Sequence, residues 1–298
     1  MATEIFELFG HDARDTSAAA QAAASTQTCA FIGDTCQKSF ADGVISGVCS
    51  LKPARSAAVI CCPVRLYADD YRILRDVSDL AFSPELPLQR GAQARQYAIR
   101  NRTQTVAVWG KRWGGELALP KRQGGNYYVD WILALLDTDG ELLGFVAVEV
   151  QSIDTTGNYR DAWRHLIQSR TISKATAGFN WENVNKRIIP QLLYKGNVLQ
   201  REAKCTSGLF FVCPKPVFDK VMERVGGPQT LLPYPFQSSS ITFMAYDLDT
   251  APAAPGTARR LIQSRVYTTN IGQLANAFAG PGVMPPTNSY EQAINQAL

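Results

Sequence analysis

Histidine is scarce: His11 and His165 are the only two in 298 residues. That scarcity weighs against zinc chemistry built on imidazole ligands. No HExxH, Walker A or GxGxxG pattern occurs, so the fingerprints of zinc proteases, P-loop enzymes and dinucleotide binders are missing. No apolar run is long enough to span a bilayer. The opening "MATEIFELFGHDARD" is acidic and lacks a charged-then-apolar signal layout, so a cytoplasmic protein is expected. A formal net charge of +4 excludes a histone-like polycation but leaves room for a local basic groove. What is plentiful is apolar residue, 46%, enough to bury the core of one large domain or two smaller ones.

Cysteine is present but uneven. Cys29, Cys36, Cys49, Cys61 and Cys62 lie early, whereas Cys205 and Cys213 lie far downstream and read as core thiols. In a reducing compartment such a cluster points to metal rather than disulfides. Four thiolates suit a tetrahedral Zn²⁺ or a single iron. Adjacent cysteines rarely both face one metal, which favours Cys62, just before Pro63, over Cys61. The competing reading is a set of small buried thiols.

Along the chain, residues 15–26 are Ala-rich and read as a short helix or a loose leader. Helical spacing is expected over 65–82, over 159–169 and in "PVFDKVMERVGG" (216–227), the last closed by Gly226, with a helix from Trp181 broken near Pro190. Strands are expected over 126–151, in "GLFFVCPKPVF" and in "SSSITFMAYDLD". The mixed order predicts an α/β fold with a central mixed sheet flanked by helices.

The stretch "NYYVDWILALLDTDGELLGFVAVEVQ" places two apolar runs around Asp139-Gly140. Asp-Gly predicts a two-residue type I′ hairpin loop. Counting back from it sets Asp130 directly opposite Glu149, and period-two alternation puts Gln151 on the same face. Two adjacent carboxylates at a buried strand end require a shared proton, a basic partner or a divalent cation. Mg²⁺, which takes one or two carboxylates plus phosphate oxygens, fits best. The alternative is a structural acid pair, solvated or matched by arginine. Asp130 followed by Glu149-x-Gln151 resembles the PD-(D/E)xK nuclease core, in which two acids hold the metal and a lysine usually follows. Here the lysine position is Gln151, which can orient a water but cannot act as a general base.

Taken together, "CAFIGDTCQKSFADGVISGVCS" with "ICCPVRLY" and the hairpin resemble the NotI-type restriction endonucleases over about residues 29–165. The resemblance implies a leader (1–28), a four-cysteine metal-binding module (29–65) and a PD-(D/E)xK catalytic and DNA-recognition domain (66–298). It implies iron, or zinc, on Cys29, Cys36, Cys49 and Cys62, and Mg²⁺ on Asp130 and Glu149 with Gln151 in the lysine position. It also implies a homodimer that cuts both strands of a GC-rich palindrome, such as a six-base site of the CGGCCG type, leaving 5′ phosphates. A cognate DNA methyltransferase would protect the host. Glu116, the one acid between Gln93 and Asn126, is either a further acid of the metal site or a partner of Lys111 or Arg112.

Basic residues flank the hairpin over 95–122, including Lys121 and Arg122, and over 160–187. Arg112, Arg160, Arg164, Lys174, Lys186 and Arg187 are the DNA-binding candidates, arginines for bases and lysines for phosphates. Each has the plainer reading of a solvated surface charge. Two other functions stand beside the restriction enzyme: a non-catalytic DNA-binding protein with a structural metal, and a repair nuclease that reads DNA shape.

Overall fold

A computed structural model describes residues 2–117, 119–120, 126–280 and 284–298. Lys121 and Arg122 lie outside the described residues. A seven-stranded mixed sheet forms the centre. Its strands are β5 (Leu88–Arg90), β6 (Thr105–Gly110), β7 (Trp131–Leu136), β8 (Leu142–Val150), β9 (Cys205–Pro214), β10 (Ser240–Leu248) and β11 (Leu261–Asn270). They lie side by side in the order β11-β10-β9-β8-β7-β6-β5. The β8–β9, β9–β10 and β5–β6 pairs are parallel, and the others antiparallel. The expectation of a mixed sheet flanked by helices holds.

Alternation along β8 and β9 decides what each face buries. Ala147, Leu209 and Phe211 pack on one face with α5 (Ile189–Leu199), α6 (Lys215–Arg224) and α7 (Ile271–Ala279). Val146, Val148, Phe210 and Val212 pack on the other with α2 (Ala68–Ala81), through Ile73, Leu74 and Val77, while α3 (Gln93–Asn101) packs Ala94 with Ala107 and Ala134. Glu149 shares the parity of Ala147 and so belongs to the α5 face. Gly208 sits where β9 slips register against β8, between the Phe145–Cys205 and Ala147–Leu209 pairs. Its φ is +72°, and a Cβ there would lie 2.1 Å from the Ser240 carbonyl oxygen. Gly208→Ala is expected to cost about 2–4 kcal/mol in a urea unfolding titration, from left-handed strain plus the clash.

Two irregularities differ from sequence expectation. The turn after β7 is a three-residue loop, Thr138-Asp139-Gly140, in which Gly140 alone takes positive φ, so it is not type I′. Asp137 closes it: its N–H donates to the Glu141 carbonyl at 3.0 Å, and its carboxylate accepts from the N–H of Asp139 and Glu141, each at 2.9 Å. Pro190 starts α5 rather than breaking a helix. Proline has no N–H for a regular helical bond, and residues Val184–Ile188 answer with a π-helical turn in which the Ile189 N–H reaches the Val184 carbonyl.

A smaller, four-stranded sheet carries the early cysteines. It holds β1 (Thr3–Leu8), β2 (His11–Asp12), β3 (Val48–Pro53) and β4 (Val59–Ile60), ordered β2-β1-β3-β4. The first 28 residues, set apart above as a leader, thus contribute β1, β2 and helix α1 (Ala18–Thr26). Ser17 caps α1, accepting from the Ala20 N–H at 3.3 Å. The helix expected over 159–169 forms as α4 (Arg160–Ser169) and packs Ala162 and Leu166 against this sheet. Beneath it, Glu7 and Arg65 form a fully buried ion pair at 2.9 Å.

Candidate active site

The open end of the β7–β8 hairpin brings Asp130 and Glu149 together. The pairs Trp131–Val148 through Leu135–Gly144 all keep one register, and its next step is Asp130 against Glu149. That register survives by compensation. The longer turn shifts the pairing by one residue, and a bulge at Leu143, between the Leu135–Gly144 and Leu136–Leu142 pairs, shifts it back.

The two acids are locked to the facing backbone. The Val150 N–H donates to Asp130 Oδ2 at 2.8 Å. Glu149 is only 7% exposed and pairs with Lys195 of α5. Burial, then the Asp130 charge, push Glu149 up to about 7, against the opposing pull of Lys195. Asp130 is also raised, chiefly by burial, with Glu116 adding to the rise and the Val150 N–H and Lys195 resisting it. Glu116 is exposed, and its charge acts on Asp130. Arg112, its suggested alternative partner, instead faces Asp34 at 3.5 Å.

Gln151 follows on the same face. With its amide oxygen turned to Arg187 it accepts from Nε at 3.3 Å and from Nη2 at 3.2 Å. Arg187 also holds Asp154 at 3.0 Å. Gln151 thus commits its oxygen and keeps its NH₂ group for donation. These residues, with Lys38 and Gln191, line a cavity of about 300 Å³.

Lys195 and Lys38 are not among the sequence candidates. Lys195 lies 46 residues beyond Glu149 on a separate helix. The one usable signal is that α5 must cover the Glu149 face of the sheet.

Of the other DNA-binding candidates, the arginines are paired with acids and the lysines are exposed. Arg160 binds Asp42 at 2.7 Å and lies over the Phe40 ring, tying α4 to the segment between Cys36 and Cys49. Arg164 pairs along its own helix with Asp161 at 3.0 Å. Lys174 and Lys186 are exposed.

All seven cysteines are buried and free. Cys29 and Cys36 share a hydrogen bond, which draws Cys29 down to about 7 and raises Cys36. Cys49 and Cys62 are raised, by burial above all, with neighbouring thiols adding to it. Cys61 turns away: its thiol donates to the carbonyls of Val48 at 3.9 Å and Cys49 at 3.6 Å. Four clustered sulfur donors are of the type that a tetrahedral Zn²⁺ or iron takes, and binding it would require the raised thiols to lose their protons. As the side chains stand, no group of three or more His, Cys, Asp or Glu among the described residues is placed to hold a metal ion.

Residues 12–225 match the family model described as "Restriction endonuclease NotI". The chain belongs to the NotI restriction endonuclease family. It is therefore a type II site-specific deoxyribonuclease, and its substrate is DNA. No curated protein matches the chain. The matched span covers the Asp130–Glu149 hairpin, Lys195 and the cysteine cluster, and it ends just after α6. Among the described residues no helix is long and apolar enough to cross a membrane.

Proposed function

We propose that the cavity at the end of β7 and β8 is where this NotI-family enzyme hydrolyses both strands of a GC-rich palindrome, of the CGGCCG type, leaving 5′ phosphates. The observation that carries the reading is the opposition of Asp130 and Glu149 across neighbouring strands, inside a cavity that also holds Gln151. It supports a PD-(D/E)xK arrangement with glutamine in the lysine position.

The two carboxylates fit Mg²⁺: they are hard donors on neighbouring strands, Glu149 buried and Asp130 half-buried, and a lysine now offsets their repulsion. When bound, Mg²⁺ would lower the pKa of a coordinated water and offset charge on the phosphate. The protein's own part is positional. Val150 fixes Asp130, Lys195 holds the Glu149 carboxylate, and Gln151 donates through its NH₂ group. Glu116 would supply a further acid from the loop beside Asp130. Water attack at phosphorus expels the 3′ oxygen, which leaves the phosphate on the 5′ end.

The same reading assigns iron or zinc to Cys29, Cys36, Cys49 and Cys62, with residues 29–65 as the metal-binding module and 66–298 as the catalytic region. Cys61 is left out of the set in favour of its neighbour Cys62, because adjacent cysteines rarely both face one metal. Lys174 and Lys186, exposed, suit phosphate contact, and Arg187 sits at the cavity itself. Arg112, Arg160 and Arg164 would have to trade acidic partners for DNA. Two-fold DNA symmetry calls for a homodimer. A cytoplasmic location and a protecting methyltransferase complete the proposal. Membership of a restriction endonuclease family disfavours both the non-catalytic binder and the repair nuclease.

The test is digestion of a sequenced GC-rich plasmid with Mg²⁺ or with chelator. Discrete bands that require Mg²⁺ support the metal role, and equal cutting in chelator refutes it. A pH dependence follows from Glu149, whose raised value keeps it neutral up to about 7 in the cation's absence. Protons and Mg²⁺ then compete for the same carboxylate. At subsaturating Mg²⁺ the cleavage rate should rise with pH through about 7, and saturating Mg²⁺ should move that rise to lower pH.

A further inference from the structure

Arg187 and Lys38 line the cavity, and Lys195 reaches Glu149 from α5; the three cations differ in how they are held. Arg187 is paired with Asp154 at 3.0 Å, and Lys195 with Glu149. Lys38 donates its ammonium to a neutral group, the Cys61 carbonyl, at 2.9 Å. It arrives from the cysteine unit, two residues after Cys36, and its side chain lines the same cavity as Asp130, Glu149 and Gln151. The stalk is fixed at its base, where the Lys38 carbonyl accepts from the Ser46 N–H at 2.8 Å and from the Ser46 hydroxyl at 3.3 Å.

We propose that Lys38 is a catalytic residue supplied by the cysteine unit, binding a non-bridging oxygen of the scissile phosphate in the Asp130–Glu149 cavity. The inference rests on that cavity being the cleavage site. A phosphodiester brought beside two or three carboxylates needs a cation that is not already neutralised. Exchanging a carbonyl for an anionic oxygen strengthens the Lys38 hydrogen bond, because the new acceptor carries a full charge. The gain grows as negative charge develops on the phosphoryl oxygens, so Lys38 acts mainly on the chemical step. The cysteine unit then does more than stabilise the fold, because its integrity sets where this ammonium stands.

The experiment compares Lys38→Met, Lys38→Arg and Glu149→Gln with the parent chain, full length and carrying whatever metal the cysteines bind. Single-turnover cleavage of a plasmid that the parent cuts is measured, with binding to the same DNA in Ca²⁺ and with the melting temperature. Methionine keeps most of the apolar stem. The expected result is a loss of about 100-fold or more in cleavage for Lys38→Met, the usual scale for a lost oxyanion donor. Binding and melting should stay near the parent's, and Lys38→Arg should recover at least about tenfold. Cleavage by Lys38→Met within about threefold of the parent would overturn the proposal. So would a loss that tracks a fall in melting temperature and is not rescued by arginine, since that marks a structural tie to Cys61. If Glu149→Gln cuts normally, the site assignment itself has failed. If Glu149→Gln is dead while Lys38→Met is active, only the Lys38 inference has.

Discussion

Glu149→Gln is expected to lower Mg²⁺-dependent cleavage by at least about 10³-fold, and Asp130→Asn by a similar factor. The amide keeps the shape of each side chain but removes the anionic donor. Metal stabilisation of the transition state is worth several kcal/mol, and each ~1.4 kcal/mol is tenfold in rate. The two acids face one point from opposed strands, so they should act as a unit. The double variant should then be little worse than either single one, because groups that act together are strongly non-additive. DNA binding measured without Mg²⁺ should hold for Glu149→Gln below about pH 7, where Glu149 is already neutral, and should hold or tighten above it, where the substitution removes a negative charge beside the phosphates. Single-turnover rates beside binding isotherms check both halves. Independent, multiplying losses would mean that the acids do not share a cation.

Glu7→Ala should be the most destabilising change in the smaller sheet. Glu7 and Arg65 are both fully buried. Glu7 accepts from Arg65 Nε at 3.0 and 3.1 Å and from the Ser50 hydroxyl at 2.7 Å. Arg65 also donates to the Arg259 carbonyl and stacks on Phe31 at 4.7 Å. The pair therefore joins β1, β3, the turn before α2 and the loop before β11. Truncating Glu7 strands a guanidinium in the core, which costs about 3–5 kcal/mol. For a chain of this size that is a melting-temperature drop of about 10 °C. Replacing both residues with methionine should cost clearly less than Glu7→Met and Arg65→Met added together, because no unpaired charge remains. Thermal unfolding of the four proteins closes the cycle. A Glu7→Ala variant that melts within about 2 °C of the parent would show that Arg65 finds another partner.

How legible all this is from sequence depends on whether the signal is local. The Asp130–Glu149 opposition follows from strand alternation and a turn. It holds although the turn is not the expected type, because the Leu143 bulge cancels the extra loop residue. Lys195 and Lys38 give no local sign. Each arrives through tertiary packing, Lys195 at Glu149 from a helix whose first turn holds Pro190, and Lys38 at the cavity from a loop conspicuous only for its cysteines. The period-two pattern of "TEIFEL" is present, but its acidic setting disguises β1 as a leader. The edge strand β11 alternates weakly and carries exposed polar residues, as strand edges do, so nothing in its sequence announces it. The arginines proposed for DNA are mostly paired with nearby acids, a choice composition cannot show.

The most direct test is to sequence the ends of plasmid fragments made by the parent chain with Mg²⁺, with Glu149→Gln treated in parallel. The account predicts that every end carries a 5′ phosphate and falls within one GC-rich palindrome, and that the variant makes no ends. Scattered ends, or the same ends from Glu149→Gln, would contradict it.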